Sequence, residues 1–208
     1  MKKLLRWEVL VVAVIVIFFY VNAKKNDALE NERDKKIQAE FQLNVDTANS
    51  NITQLRNQHS ANVEWMNSAS LSGDNVSGGF SYYYQNLLVS EGPILVYASL
   101  LDVEIIDEEK YLITLAPYLG PFRPFTFVHV EFMLTANRGV IDTFLSQHPK
   151  HHGGLFSPAL AVVAVIEKVS SRQLGADDKV KVAYGKLKGI VNIGEYDVAN
   201  EVISSRDD

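Results

Sequence analysis

The stretch "ILVYASLLDVEIIDEEKYLITLAPY" (residues 94–118) consists of two apolar runs rich in branched and aromatic side chains, separated by Asp107, Glu108 and Glu109. Such side chains suit the pleated, half-buried surface of a strand, and three consecutive carboxylates mark the place where the chain must turn into water. The reading is a β-hairpin. Its first run is longer than the usual strand of about 5–6 residues, as expected where one strand bends to serve both halves of a closed sheet.

Downstream, "FTFVHVEFMLTA" (125–136) alternates apolar and polar residues and reads as a third strand. "NRGVIDTFLSQH" (137–148) then places Val140, Ile141, Phe144 and Leu145 at helical spacing ahead of Pro149, which ends the helix. "ALAVVAVIEKVSS" (159–171) is apolar enough to be a central strand. "KVKVAYGKLKGIVNIGEY" (179–196) is a fifth, with Gly185 and Gly189 where a strand bends or bulges. Three strands, a helix and two more strands is the order of a small five-strand OB-like barrel, with the helix plugging one end. The competing architecture is an α+β sandwich, with that helix on one face of an antiparallel sheet. Residues 80–208 are assigned to this mainly β domain, including "FSYYYQNLL" (80–88), read as a short element that packs its tyrosines onto the barrel.

Upstream, "SASLSGDNVSGG" (68–79) is rich in small residues and has no periodicity, and it reads as a linker. Residues 24–67 contain neither proline nor glycine and read as a polar helical stalk. Phe41, Val45, Ala48, Ile52 and Leu55 recur at spacings of four and three, a seam one residue wide over about two heptads. Such a seam either pairs with another copy as a short coiled coil, through Phe41, Val45, Ile52 and Leu55, or lies on the chain's own domain.

The chain begins with a basic tail (1–6) and an apolar segment (7–23) in which Val9 to Val21 are all apolar or aromatic. About 17 residues at ~1.5 Å each cover roughly 25 Å, near the lower end of what a bilayer core of ~30 Å requires. Trp7 and Tyr20 fall near the ends of the segment, where amphipathic rings prefer the membrane interface. A cleaved secretory signal is the rival, with Val21-Asn22-Ala23 as its cutting site. The length of the run, and Lys24 and Lys25 directly after it, favour an uncleaved single-pass signal anchor. The charge bias on the two sides does not fix its orientation. The basic leader resembles an export signal and favours a globular domain outside the cytoplasm, in the periplasm or extracellular space.

The 208 residues carry a net charge of −5 and no cysteine, which excludes disulfides, thiolate metal sites and cysteine nucleophiles. No nucleophile elbow, Walker loop or dinucleotide loop is present, and no cofactor is implied. One cluster of imidazoles, His148, His151 and His152, has ligand chemistry, although Pro149 interrupts any helical spacing. A surface loop accounts for them as well. Phe122, Arg123 and Phe125 lie in a proline-bracketed loop, "GPFRPFTF" (120–127), whose aromatic and cationic composition suits ligand or partner recognition; the competing and preferred reading is that Phe122 and Phe125 cap the open end of the barrel. Lys179, Lys181, Lys186 and Lys188 on the fifth strand are the local case for single-stranded nucleic acid. From Glu91 onward, however, 11 basic residues face 16 acidic ones, which gives no phosphate-tracking groove. The functional expectation is a membrane-anchored, non-enzymatic binding or assembly module of the cell envelope. A metal-dependent hydrolase using the histidines and a nucleic-acid-binding barrel are the alternatives.

Overall fold

The structure is a computed structural model that describes residues 4–61, 71–76, 79–84, 89–118, 126–128, 130–151, 158–173 and 179–204. In chain order it comprises helix α1 (Leu4–His59), strands β1 (Leu71–Val76), β2 (Gly79–Tyr84), β3 (Ile94–Ile105), β4 (Lys110–Pro117), β5 (Thr126–Val128) and β6 (Val130–Asn137). Helix α2 (Arg138–Gln147), strands β7 (Ala159–Gln173) and β8 (Lys179–Gly194) and helix α3 (Tyr196–Ser204) follow. Two compact units are present, Met1–Leu43 and Asn44–Asp208.

Five strands close a barrel in the order β3-β4-β6-β8-β7. All neighbours are antiparallel except β6 and β8, which run parallel, so the architecture is OB-like and the sandwich alternative falls away. Closure depends on β3. Its first half, Ile94–Ser99, pairs with Ala164–Ala159 of β7, and its second half pairs with β4, with a bulge between Leu100 and Asp102. Alternation then fills the interior: Ile94, Val96, Ala98 and Leu100 of β3 meet Ile113 and Leu115 of β4, Phe132 and Leu134 of β6, and Leu160, Val162 and Ile166 of β7. Each such side chain contributes about 1.5–3 kcal/mol by leaving water. Helix α2 closes one end with Ile141 and Phe144, and the Asn137 side chain caps it by accepting from the Gly139 amide at 2.9 Å.

The pairing of β7 with β8 is irregular beside both glycines of β8. Opposite β7 the register slips between Val163/Ala164 and between Ile166/Lys168, beside Gly189 and Gly185 respectively. A Cβ on Gly185 would collide with the Val165 carbonyl oxygen, a backbone atom with no freedom to move aside.

Gly189 has a further role. Leu95 of β3 is opposite Val163 of β7, which is opposite Gly189 of β8, so these three share one outer row of the barrel. A Cβ on Gly189 would sit 2.6 Å from Leu55 Cδ1 and 2.9 Å from His59 Nε2. Helix α1 therefore lies directly on this row. Leu95 and Val163 are 1% and 0% exposed although they point out of the barrel, and Ile52 and Leu55 are 0% and 5% exposed on the helix. For Val45, Ala48, Ile52 and Leu55 the narrow seam is thus covered within the chain's own second unit, while Phe41 is half-buried. The helix ends at Ser60, which adopts a left-handed φ of 50°, and the Ala61 amide donates to the Arg56 carbonyl at 3.0 Å.

Two stretches differ from the sequence reading. The segment read as one third strand is two: β5 pairs in parallel with β2, whereas β6 enters the barrel. Within the presumed linker, Leu71–Val76 forms a hairpin with β2, giving a second sheet ordered β1-β2-β5. Backbone pairing makes this hairpin without apolar alternation, so no periodicity announced it. The apolar run from Val9 to Val21 is helical, but nearly all its side chains lie outside the described residues. Among the described residues no helix is long and apolar enough to cross a membrane.

Two outcomes are expected in denaturant titrations. Gly185→Ala costs about 3 kcal/mol or more, the upper range for overpacking, because backbone must move. Gly189→Ala combined with Leu55→Ala costs less than the two separately, by on the order of 0.5–1 kcal/mol, since truncating the leucine makes room for the new methyl. A fragment spanning 80–208 leaves the Leu95–Val163 row uncovered. It is expected to melt lower and aggregate more readily than 44–208, which calorimetry and light scattering would reveal.

Candidate functional site

The outer side of β4, β6 and β8 lies on the barrel wall, and its side chains are half-buried. Alternation decides what faces outward: with Phe132 and Leu134 inside, Glu131, Met133 and Thr135 point out. Cross-strand register assembles two rows. Thr114 is opposite Met133, Met133 opposite Tyr184 and Tyr184 opposite Lys168. Leu112 is opposite Thr135, which is opposite Lys186. The centre is therefore apolar and hydroxyl-bearing, with Leu112, Thr114, Met133 and Tyr184 half-buried and the charged residues at its margins.

Those charges are paired. Arg172 Nη2 donates to both carboxylate oxygens of Glu131, at 2.9 and 2.8 Å. Lys186 Nζ donates to Glu167 at 2.6 Å, and the Lys168 ammonium stands 5.8 Å from the centre of the Tyr184 ring. Of the lysines that suggested nucleic acid, Lys186 is thus engaged by a carboxylate, Lys188 is exposed, and the Lys179 side chain lies outside the described residues. Among the described residues the face offers apolar area and hydroxyls, with Arg172 and Lys186 at its margins held by carboxylates.

The histidine cluster is only partly assembled. His148 follows the last turn of α2, its amide donating to the Phe144 carbonyl at 2.9 Å, and the His151 amide donates to the His148 carbonyl at 3.1 Å. Both rings pack on Phe144 with centroids 5.0 Å away, and they lie 6.1 Å from each other. His151 is 3% exposed, so it is no surface-loop histidine. Its Nε2 lies 2.9 Å from Asn192 Oδ1, within hydrogen-bond distance. That nitrogen joins the loop after α2 to β8, and the Lys150–Glu195 ion pair makes a second link nearby. His152 lies outside the described residues. Among the described residues no group of three or more His, Asp or Glu is placed to hold a metal, whereas a zinc site ordinarily draws on three or four protein ligands.

Phe122, Arg123 and Phe125 also lie outside the described residues. Their loop begins after Tyr118, whose amide donates to the Tyr97 carbonyl at 2.9 Å. The acidic hairpin tip is exposed: Asp107 Oδ1 accepts from the Glu109 amide and Asp102 Oδ1 from the Val103 amide, each at 2.8 Å. These carboxylates shape the turn and the strand.

One constellation was not anticipated. The Tyr111 hydroxyl donates to Asp142 Oδ1 at 2.9 Å, Arg138 reaches Asp142 at 3.4 Å, and the Arg138 guanidinium stands 5.5 Å from the Tyr111 ring centre. The Arg138 amide also donates to the Glu109 carbonyl, so α2 is tied to the hairpin by backbone and side chain together. The Asp142 hydrogen bond, and secondarily burial, raise the Tyr111 pKa above its ordinary value of 10.0, with the Arg138 charge acting against them. The sequence signal was the i, i+4 spacing of Arg138 and Asp142, but their tyrosine partner is far away in sequence.

No protein-family model matches the chain, and no curated protein matches it either.

The raised Tyr111 pKa sets a direction with pH. The folded state holds the phenol proton more tightly than the unfolded state, so this contribution is complete below pH ~10 and is lost as pH rises through the folded pKa. Urea midpoints from pH 8 upward should fall more steeply for the parent protein than for Tyr111→Phe. At the other site, His151→Ala is expected to cost about 2–4 kcal/mol, because it empties a buried position and strands Asn192. His148→Ala should cost less than about 1 kcal/mol, its ring being only half-buried.

Proposed function

We propose that this protein is a single-pass, membrane-anchored binding or assembly module of the cell envelope, non-enzymatic, with its barrel on the extracytoplasmic side. The observation that carries the reading is the sequence from Val9 to Val21, apolar throughout, near the start of α1. One uninterrupted helix, Leu4–His59, contains the wholly apolar sequence Val9 to Val21 and, in its last four turns, the residues buried on the outer row of the barrel. A signal cut at Val21-Asn22-Ala23 would be severed within this helix, which an uncleaved anchor leaves whole. The run is charge-free from Val9 to Val21, and the flanking Lys2, Lys3, Arg6, Lys24 and Lys25 suit headgroups.

In this reading the half-buried face of Leu112, Thr114, Met133 and Tyr184 takes the partner; Phe122, Arg123 and Phe125, which lie outside the described residues, are proposed for the same role from their composition alone. Neutral composition at the centre and self-paired charges at the margins favour a polypeptide surface over a polyanion. Catalysis draws no support from the described residues: His151 is committed to Asn192, and the hairpin carboxylates cap their own backbone.

Membrane fractionation with protease protection tests the anchor and its orientation together, using a tag at the C-terminus. The expected outcome is a full-length product in the membrane fraction that is cut only when the outer face is exposed. A shortened soluble product would replace the anchor by a cleaved signal, and a tag protected inside intact cells would reverse the orientation.

A further inference from the structure

We draw no further inference here: the strongest candidate, the exposed Ile105–Ile106 pair at the tip of the β3–β4 hairpin beside Asp107, Glu108 and Glu109, is a small apolar patch next to an acidic turn, and nothing in the structure shows what covers it.

Discussion

Closing a five-strand sheet on itself requires one strand to be shared between its two halves, and here β3 is that strand. Its six pairs with β7 seal the barrel while its later residues pair with β4. The consequence is chemical as well as geometric. From Ile94 to Leu100 every residue is buried, on both faces, because the seam is lined inside by the core and covered outside by another layer. An apolar outer row left bare would cost the barrel stability in water, and the last turns of the helix that cover it belong to the same unit, Asn44–Asp208. The position of Gly189 beneath Leu55 and His59 follows from that: without a side chain at 189, the helix comes down onto the strand.

This hierarchy explains which parts of the fold were legible in the sequence. The hairpin, the long first strand, the capping helix with Ile141 and Phe144, and the two glycines of the last strand all leave local marks. Those marks are turn chemistry, alternation, helical spacing and missing side chains. Gly189 was readable as a place where a strand departs from regularity, but not as the contact point of a helix more than a hundred residues earlier. Likewise the spacing of Val45, Ala48, Ile52 and Leu55 declares an apolar stripe and says nothing of what it meets. The division between β5 and β6 leaves one local mark, the adjacent apolar residues Phe127 and Val128 where the apolar positions shift from odd to even, but alternation does not record which sheet a strand joins.

The same limit applies to the site. That Met133 and Thr135 face outward follows from alternation within one strand, whereas the rows that unite them with Thr114, Tyr184 and Lys186 depend on register between strands distant in sequence. His151 shows the converse. Its residue type and neighbours suggested a ligand or a solvated loop, and the fold makes it a buried hydrogen-bonding link between the α2 exit and β8. An imidazole suits that task because it brings an apolar ring to Phe144 and a ring nitrogen to Asn192.

An OB-like barrel by itself does not choose among the ligands that such barrels take, so the electrostatics must decide. Exposed ion pairs are worth roughly 0–1 kcal/mol, and a polyanion could in principle draw Arg172 or Lys186 away from its carboxylate at small cost. The obstacle is what remains afterwards. Releasing Arg172 leaves Glu131 on the face, and releasing Lys186 leaves Glu167 beside it, so each cation offered to a phosphate brings an uncompensated anion. Affinity for nucleic acid grows with the number of phosphates neutralised, and these two cations gain little from releasing counterions when each exposes its opposite. A neutral partner would leave these pairs intact while covering Leu112, Met133 and Tyr184, in keeping with the proposed polypeptide partner.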